Sequence, residues 1–243
     1  MRKPLYRQMR ELEDRHWWFL GRRRIVQSIL AKLELDAGAS ILDVGCGTGG
    51  NLAMLGQFGE VIGVEYDKEA ASFAAERKVA RIEQGALPDQ MPFDPEQFQL
   101  VTLLDVLEHI DEDQESLNAL IRLISPGGHL VLTVPAFPVL WGTHDVEHHH
   151  KRRYRASQLE DQLKASGFQV QWLSYYNSWM FPVMVLLRMV RKILPARGVG
   201  GELMLPPAPV NKLLTKLFAS ERYWLGRIKV PFGGSLIGVA RKP

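Results

Sequence analysis

Apolar residues along this chain gather into four short, nearly unbroken runs: Ser40-Ile41-Leu42-Asp43-Val44, Val61-Ile62-Gly63-Val64-Glu65, Leu100-Val101-Thr102-Leu103-Leu104 and His129-Leu130-Val131-Leu132-Thr133-Val134. A strand with one wet face alternates apolar with polar positions, so unbroken runs predict strands covered on both faces. Residues 51–58, 70–78 and 113–124 read as helices, the last closed by Ser125-Pro126-Gly127-Gly128, a helix-stop and turn signal. Strand and helix in alternation predict a parallel sheet with helices on both faces, which puts a ligand at the carboxyl ends of the strands. Two more strands are expected at residues 168–173 and 235–240.

Roughly sixty residues separate that last pair, far more than a strand connection needs. They read as an insertion, with helices over 179–193 and 211–227 around a Gly- and Pro-rich stretch from 195 to 209. Its longest uncharged apolar stretch, Trp179 to Leu187, is shorter than the ~20 residues that cross a bilayer. The expected organisation is a single domain over 1–243. It comprises a helical lid at 1–37, a cofactor-binding core at 38–177, a helical insertion at 178–234 and a final strand at 235–243. The lid expectation rests on Trp17, Trp18 and Phe19, which are too apolar to stand in water and would pack over the cleft.

Composition narrows the class. Hydrophobic residues at 46% and charged residues at 23% exclude a disordered chain and a polytopic membrane protein. A single cysteine, Cys46, makes no internal disulfide and no thiolate zinc cluster, and the first residues lack the apolar core of a signal peptide, so a cytoplasmic setting is expected. The net charge of +3 conceals an asymmetry: residues 1–30 carry an excess of five bases, 31–180 an excess of eleven acids, and 181–243 an excess of nine bases. Basic ends suit an anionic partner, a phosphorylated acceptor or an anionic membrane surface, and equally a solvated face. No base-reading motif accompanies them, and no nucleic-acid partner is expected.

The sequence Asp43-Val44-Gly45-Cys46-Gly47-Thr48-Gly49-Gly50 follows one expected strand and opens a helix. Glycines there allow a tight turn and close approach of a ligand to the backbone. Gly45, Gly47 and Gly50 also satisfy G-x-G-x-x-G, so the glycines alone leave a nicotinamide dinucleotide open. Asp43 would repel a pyrophosphate but suits a cationic amino-acid group, and Glu65, twenty residues after Gly45, is placed to accept two ribose hydroxyls. Together they describe an adenosyl amino acid.

These blocks, with Leu104-Asp105-Val106-Leu107-Glu108-His109-Ile110 and Ser125-Pro126-Gly127-Gly128-His129-Leu130, resemble the class I S-adenosylmethionine-dependent methyltransferases, particularly the small-molecule group that includes ubiquinone-pathway enzymes. The opening Glu13-Asp14-Arg15-His16-Trp17-Trp18-Phe19 and Gly21-Arg22-Arg23 is similar to a segment of methyltransferases associated with glycan and lipid modification. The resemblance implies an α/β, Rossmann-like sheet of seven strands, mostly parallel, with the last strand antiparallel and the helical insertion before it. It also implies that Gly45, Gly47 and Gly49 line the methionine and ribose, that Glu65 holds the ribose hydroxyls, and that Asp105 faces the amino group or the acceptor. The family's acidic residue near the adenine amino group is replaced here by Ala86, so backbone groups of Ala86 and Leu87 are expected to substitute.

Methyl transfer to oxygen needs an in-line nucleophile and gains from a base. After the fifth strand stand His144, Asp145, His148, His149 and His150, followed by Arg152, Arg153 and Tyr154. His144 or His148 is expected as the base with Asp145 orienting its ring; a divalent-metal site and a polar loop without chemistry are the alternatives, and the reading adopted assigns no metal. Arg152, Arg153 and Tyr154 are expected to grip an acceptor head group. His109, at a helix start, is as well suited to capping or packing as to catalysis. In the insertion, the apolar stretch beside Arg188, Arg191 and Lys192 predicts shallow contact with an anionic membrane at the inner face, with a core helix or an acceptor tunnel as alternatives. The expected function is O-methylation of a small-molecule, glycan or lipid-linked acceptor. Its rivals are a nicotinamide-dependent oxidoreductase and a non-catalytic membrane- or partner-binding protein on the same fold.

Overall fold

The computed structural model describes residues 3–186 and 204–243. Strands β1 (Ala39–Val44), β2 (Gly59–Glu65), β3 (Arg81–Gln84), β4 (Phe98–Leu104), β5 (Ile124–Pro135), β6 (Gln169–Tyr176) and β7 (Ser235–Arg241) form one sheet in the order β3-β2-β1-β4-β5-β7-β6. The first five run parallel, while β7 pairs antiparallel with both β5 and β6. This is the seven-stranded arrangement expected, with its last strand reversed.

Unbroken apolar runs arise because neighbouring positions serve opposite cores. Along β4, Val101 and Leu103 enter one core while Leu100 and Leu104 enter the other; along β5, Leu130 and Leu132 oppose Val131 in the same way. Each such side chain contributes about 1.5–3 kcal/mol by leaving water. One core lies under α5 (Asp113–Leu123) and α7 (Ala156–Ala165), the other under α2 (Trp17–Leu30) and helix Ala208–Ala219.

Two local departures from expectation have physical causes. The edge strand β3, Arg-Ile-Glu-Gln, has no fully buried residue and so no apolar run to reveal it. At Ser125-Pro126-Gly127-Gly128, α5 does stop at Leu123, but the four residues form the irregular start of β5 rather than a turn. Phe98 pairs with Ile124 and Leu100 with His129, so the extra residues bulge, and Gly127 at φ +80° donates its N–H to the Lys242 carbonyl. The expected 51–58 helix shortens to α3 (Leu52–Leu55), and α4 (Lys68–Glu76) begins at an Asp67 cap whose carboxylate accepts from the N–H groups of Glu69 and Ala70.

The N-terminal helices α1 (Lys3–Leu12) and α2 lie against both the core and the insertion. His16 caps α2, its Nδ1 accepting from Trp18 N–H at 3.3 Å, and burial lowers its pKa, which keeps that nitrogen an acceptor. Gly21 allows α2 to touch helix Ala208–Ala219: a Cβ there would stand 2.5 Å from the Phe218 ring. Asn211 links the pair by accepting from Trp17 N–H and donating to the Arg15 carbonyl. The other expected insertion helix is seen as helical residues 181–186, while its continuation to 193, with Arg188, Arg191 and Lys192, lies outside the described residues. Buried Glu221 accepts from the N–H groups of Asn177, Ser178 and Trp179, fixing the point where the chain leaves β6. No described helix is long and apolar enough to cross a membrane.

Candidate active site

Parallel pairing brings the ends of β1, β2, β4 and β5 to one edge of the sheet, and the expected residues collect there. At the end of β1 the chain turns through Gly45, Gly47 and Gly49, at φ +70°, +57° and +83°. The N–H groups of Gly45 and Cys46 both bond the Val64 carbonyl of β2, which tightens the turn. Side chains are excluded by geometry as well as by φ: a Cβ on Gly45 would lie 2.5 Å from Val106 Cγ2.

Glu65 closes β2 and braces this loop. Its Oε2 accepts from Gly47 N–H at 2.9 Å and its Oε1 from Asp67 N–H at 3.0 Å, while burial raises its pKa against the lowering effect of those bonds. Each oxygen keeps a second lone pair, so the carboxylate has capacity for ribose hydroxyls as well. Asp43 is buried, with Oδ1 accepting from Thr102 Oγ1 at 2.6 Å and Oδ2 without a hydrogen-bond partner; burial pushes its pKa up to about 6. An orphaned acidic oxygen beside a glycine cradle fits the cationic amino acid of S-adenosylmethionine. Asp105, just beyond β4, has left-handed backbone at φ +58° and pairs with buried Arg22, whose guanidinium also lies 4.6 Å over the Trp18 ring. A non-glycine residue held there is strained, and its N–H bond to Thr133 carries the geometry.

Ala86 contributes less than expected, because its N–H and carbonyl are both engaged by Gln90; Leu87 lies half-buried beside it. The N-terminal helices contribute more. Tyr6 lies near Glu65 and Asp67, its pKa held above the usual range by burial and by those two charges. Met9 Cε reaches to 3.0 Å from where a Gly47 Cβ would be. Buried Glu13 bonds Thr48 Oγ1 and Arg77, each at 2.5 Å, and Arg77 Nε donates to the Thr48 carbonyl. Tyr6 was not singled out from sequence, and Glu13 and Arg22 stood there only within the opening motif, because no spacing ties these residues to a glycine loop tens of positions away.

The histidine loop stands at the end of β5. Helix α6 (Thr143–Glu147) places His144 and His148 one turn apart, with ring centroids 4.1 Å apart, and His150 comes 4.8 Å from His109. Burial, then the neighbouring imidazoles, push His148 and His109 down to about 4, so both are uncharged at neutral pH. Asp145 Oδ1 also meets His150 Nδ1 at 2.9 Å, so a third imidazole joins the group expected from His144, Asp145 and His148. Burial opposes its charge, yet bonds from His150 and Arg153 hold the Asp145 carboxyl well below the usual carboxylate range. His149 is exposed, with left-handed backbone at φ +57°.

Arg153 and Tyr154, expected to grip an acceptor, are instead placed inside the protein. Arg153 donates to Asp145 and to the Ala136 carbonyl, and fully buried Tyr154 donates to Asp113 at 3.0 Å. Arg152 is the more accessible of the three and pairs with Asp113 at 2.7 Å. These contacts fix the histidine loop against α5.

Comparison with known proteins adds the following. A family model described as a methyltransferase domain matches residues 16–172. A probable S-adenosylmethionine-dependent methyltransferase of Mycolicibacterium smegmatis is 26% identical over 66% of this chain and 62% of its own length. The ubiquinone biosynthesis O-methyltransferase of Vibrio atlanticus is 33% identical over 42% of this chain and 46% of its own. The chain thus spans about half to three-fifths of the curated relatives it matches. Among solved structures, a putative methyltransferase from Bacillus halodurans superposes with a TM-score of 0.60 at 21% identity, covering 88% of this chain and 97% of that one. The complex of the Haloferax volcanii Trm112 methyltransferase activator with a putative methyltransferase gives 0.62 at 16% identity, covering 99% and 95%. At such identities these structures share the fold.

Proposed function

Because this chain belongs to the class I S-adenosylmethionine-dependent methyltransferases, we propose that it methylates oxygen on a small-molecule acceptor bound between the glycine loop and the histidine loop. Family membership speaks against the nicotinamide rival, and the O-methyltransferase among its relatives favours oxygen. The observation that carries the reading is the gathering of His144, His148, His109 and His150 at the strand edge that also holds Asp105.

In this reading Glu65 holds the ribose, Gly45, Gly47 and Gly49 receive the methionine and ribose against bare backbone, and Asp43 and Asp105 face the cationic amino group. Backbone near Ala86 and Leu87 borders the adenine. The bound cofactor supplies an electrophilic methyl on a sulfonium, so what remains for the protein is to align the acceptor, keep water out and receive a proton. Tyr6, Met9 and Glu13 cover the glycine loop and serve as the lid of residues 1–37 over the core of 38–177. Arg22 sets the orientation of Asp105. His144 or His148 receives the acceptor proton, and Asp145 steadies the loop through His150. Arg152 offers a charge at the mouth, while Arg153 and Tyr154 support it from within.

The test is product release from labelled S-adenosylmethionine with matched phenol, alcohol, amine and thiol acceptors, followed by mass analysis of the methylated atom. Oxygen-selective transfer is expected, falling by about 100-fold or more in His144→Ala with His148→Ala. Selective methylation of nitrogen, carbon or sulfur would overturn the oxygen reading and leave family membership untouched.

A further inference from the structure

We propose that Glu108, His109 and His150 form a binding site for one divalent transition-metal ion at the carboxyl edge of the sheet. One ligand atom from each residue lies within 4.8 Å of the other two. Ligands bound tetrahedrally at about 2.1 Å stand about 3.4 Å apart, so the group must tighten by an ångström or so, within reach of side-chain rotation. Two imidazoles and a carboxylate are the donor set of borderline ions such as zinc, iron(II) or cobalt(II) rather than of magnesium or calcium.

Two further observations point to a ligand. Glu108 is 1% exposed, and its Oε2 has no hydrogen-bond partner. A buried acidic oxygen without a partner is costly, and the nearest bases are engaged elsewhere: Arg22 pairs with Asp105, and Arg153 with Asp145. Independently, His150 Nδ1 meets Asp145 Oδ1 at 2.9 Å, which leaves Nε2 as the nitrogen available for coordination. Asp145 is itself held by Arg153 Nε at 2.7 Å and Gly142 N–H at 2.8 Å. A carboxylate behind a histidine, braced by further bonds, is the support that orients metal-ligating imidazoles. The rings of His144 and His148 lie 5.9 and 6.0 Å from that of His150, so more nitrogen donors adjoin the site.

An ion here would stand three residues beyond Asp105 in the chain, with open positions for the hydroxyl of an acceptor, and would polarise that oxygen as a Lewis acid. That role rests on the oxygen-acceptor reading above; the binding of the ion does not. The experiment therefore uses the full chain without cofactor or acceptor, stripped with chelator, dialysed and titrated with zinc by calorimetry and with cobalt(II) by visible absorption. One equivalent is expected, with the d–d bands of a low-coordinate cobalt site. Glu108→Gln and His150→Ala should each abolish that equivalent, Asp145→Asn should weaken it about 10–100-fold, and His149→Ala should leave it intact. Circular dichroism and S-adenosylmethionine binding verify the fold of each variant. Absence of a stoichiometric site in the unaltered protein overturns the proposal. So does binding that survives Glu108→Gln and His150→Ala but is lost in His144→Ala with His148→Ala.

Discussion

Glu65 braces the glycine loop by accepting two backbone N–H groups, whereas Asp145 braces the histidine loop mainly through the side chains of His150 and Arg153. In the first region the main chain itself is the proposed binding surface, and three glycines at positive φ carry its shape. In the second, side chains from the end of β4 and from beyond β5 must meet, and the backbone is only their support. A binding surface of backbone tolerates almost no added atoms, because nothing can rotate away. A surface of side chains depends instead on the bonds that fix each rotamer, and single losses there are partly absorbed by neighbours.

The comparison breaks most visibly at Gly45. Gly45→Ala forces a Cβ to 2.5 Å from Val106 at φ +70°. Left-handed strain of about 1–2 kcal/mol and overpacking of about 1–3 kcal/mol should together lower unfolding free energy in urea by about 2–5 kcal/mol. A loss below about 1 kcal/mol would show that the loop yields, and that backbone and side-chain regions do not differ in this way.

Glu65→Ala should weaken S-adenosylmethionine binding by about 1.5–3 kcal/mol for each charged hydrogen bond lost, roughly 10–100-fold by calorimetry. Unchanged affinity in a folded variant would remove Glu65 from the cofactor site.

Asp43 sharpens the contrast through pH. Its pKa of about 6 in the folded protein lies above the ordinary carboxyl value, so the ligand-free fold loses stability as pH rises from that ordinary value toward 6. A cationic cofactor favours the ionised form, so affinity should fall by up to about tenfold per unit below pH 6 and be level above it. Titrations in Asp43→Asn should lose this slope; a slope that persists would assign it to another group.

The smallest effect belongs to the side-chain region. Tyr154→Phe removes one bond to Asp113, which keeps Arg152 and Gln162, so stability should fall by only about 1 kcal/mol with cofactor affinity unchanged. A coupled loss of affinity would show that the two regions act as one.

Much of the sheet was legible because residues 41–44, 61–64, 100–104 and 129–134 serve two cores at once, which leaves an unmistakable apolar run. The glycine loop was legible for a related reason: its chemistry is local, with Asp43, the glycines and Glu65 placed by two adjacent strands. By contrast β3, polar and at the edge, left no such run. His150 was not named as a partner of Asp145 either, since spacing along a loop does not say which of several histidines a buried carboxylate meets. Arg153 and Tyr154 read as surface binders because their types suit that role, while burial against Asp145 and Asp113 gave them another.

The sequence by itself determined the parallel sheet, its reversed last strand through a family resemblance, the cofactor class and the edge at which the candidate site gathers. These depend on short-range pattern, where periodicity and glycine spacing map directly onto backbone conformation. Only the tertiary structure decided that Met9 and Glu13 meet the glycine loop, that Arg22 pairs with Asp105, and that Glu108 and His109 converge on His150. Such contacts join residues far apart in the chain. They are selected by which buried charges and hydrogen-bonding groups satisfy one another once the core has formed, and no local spacing encodes that choice.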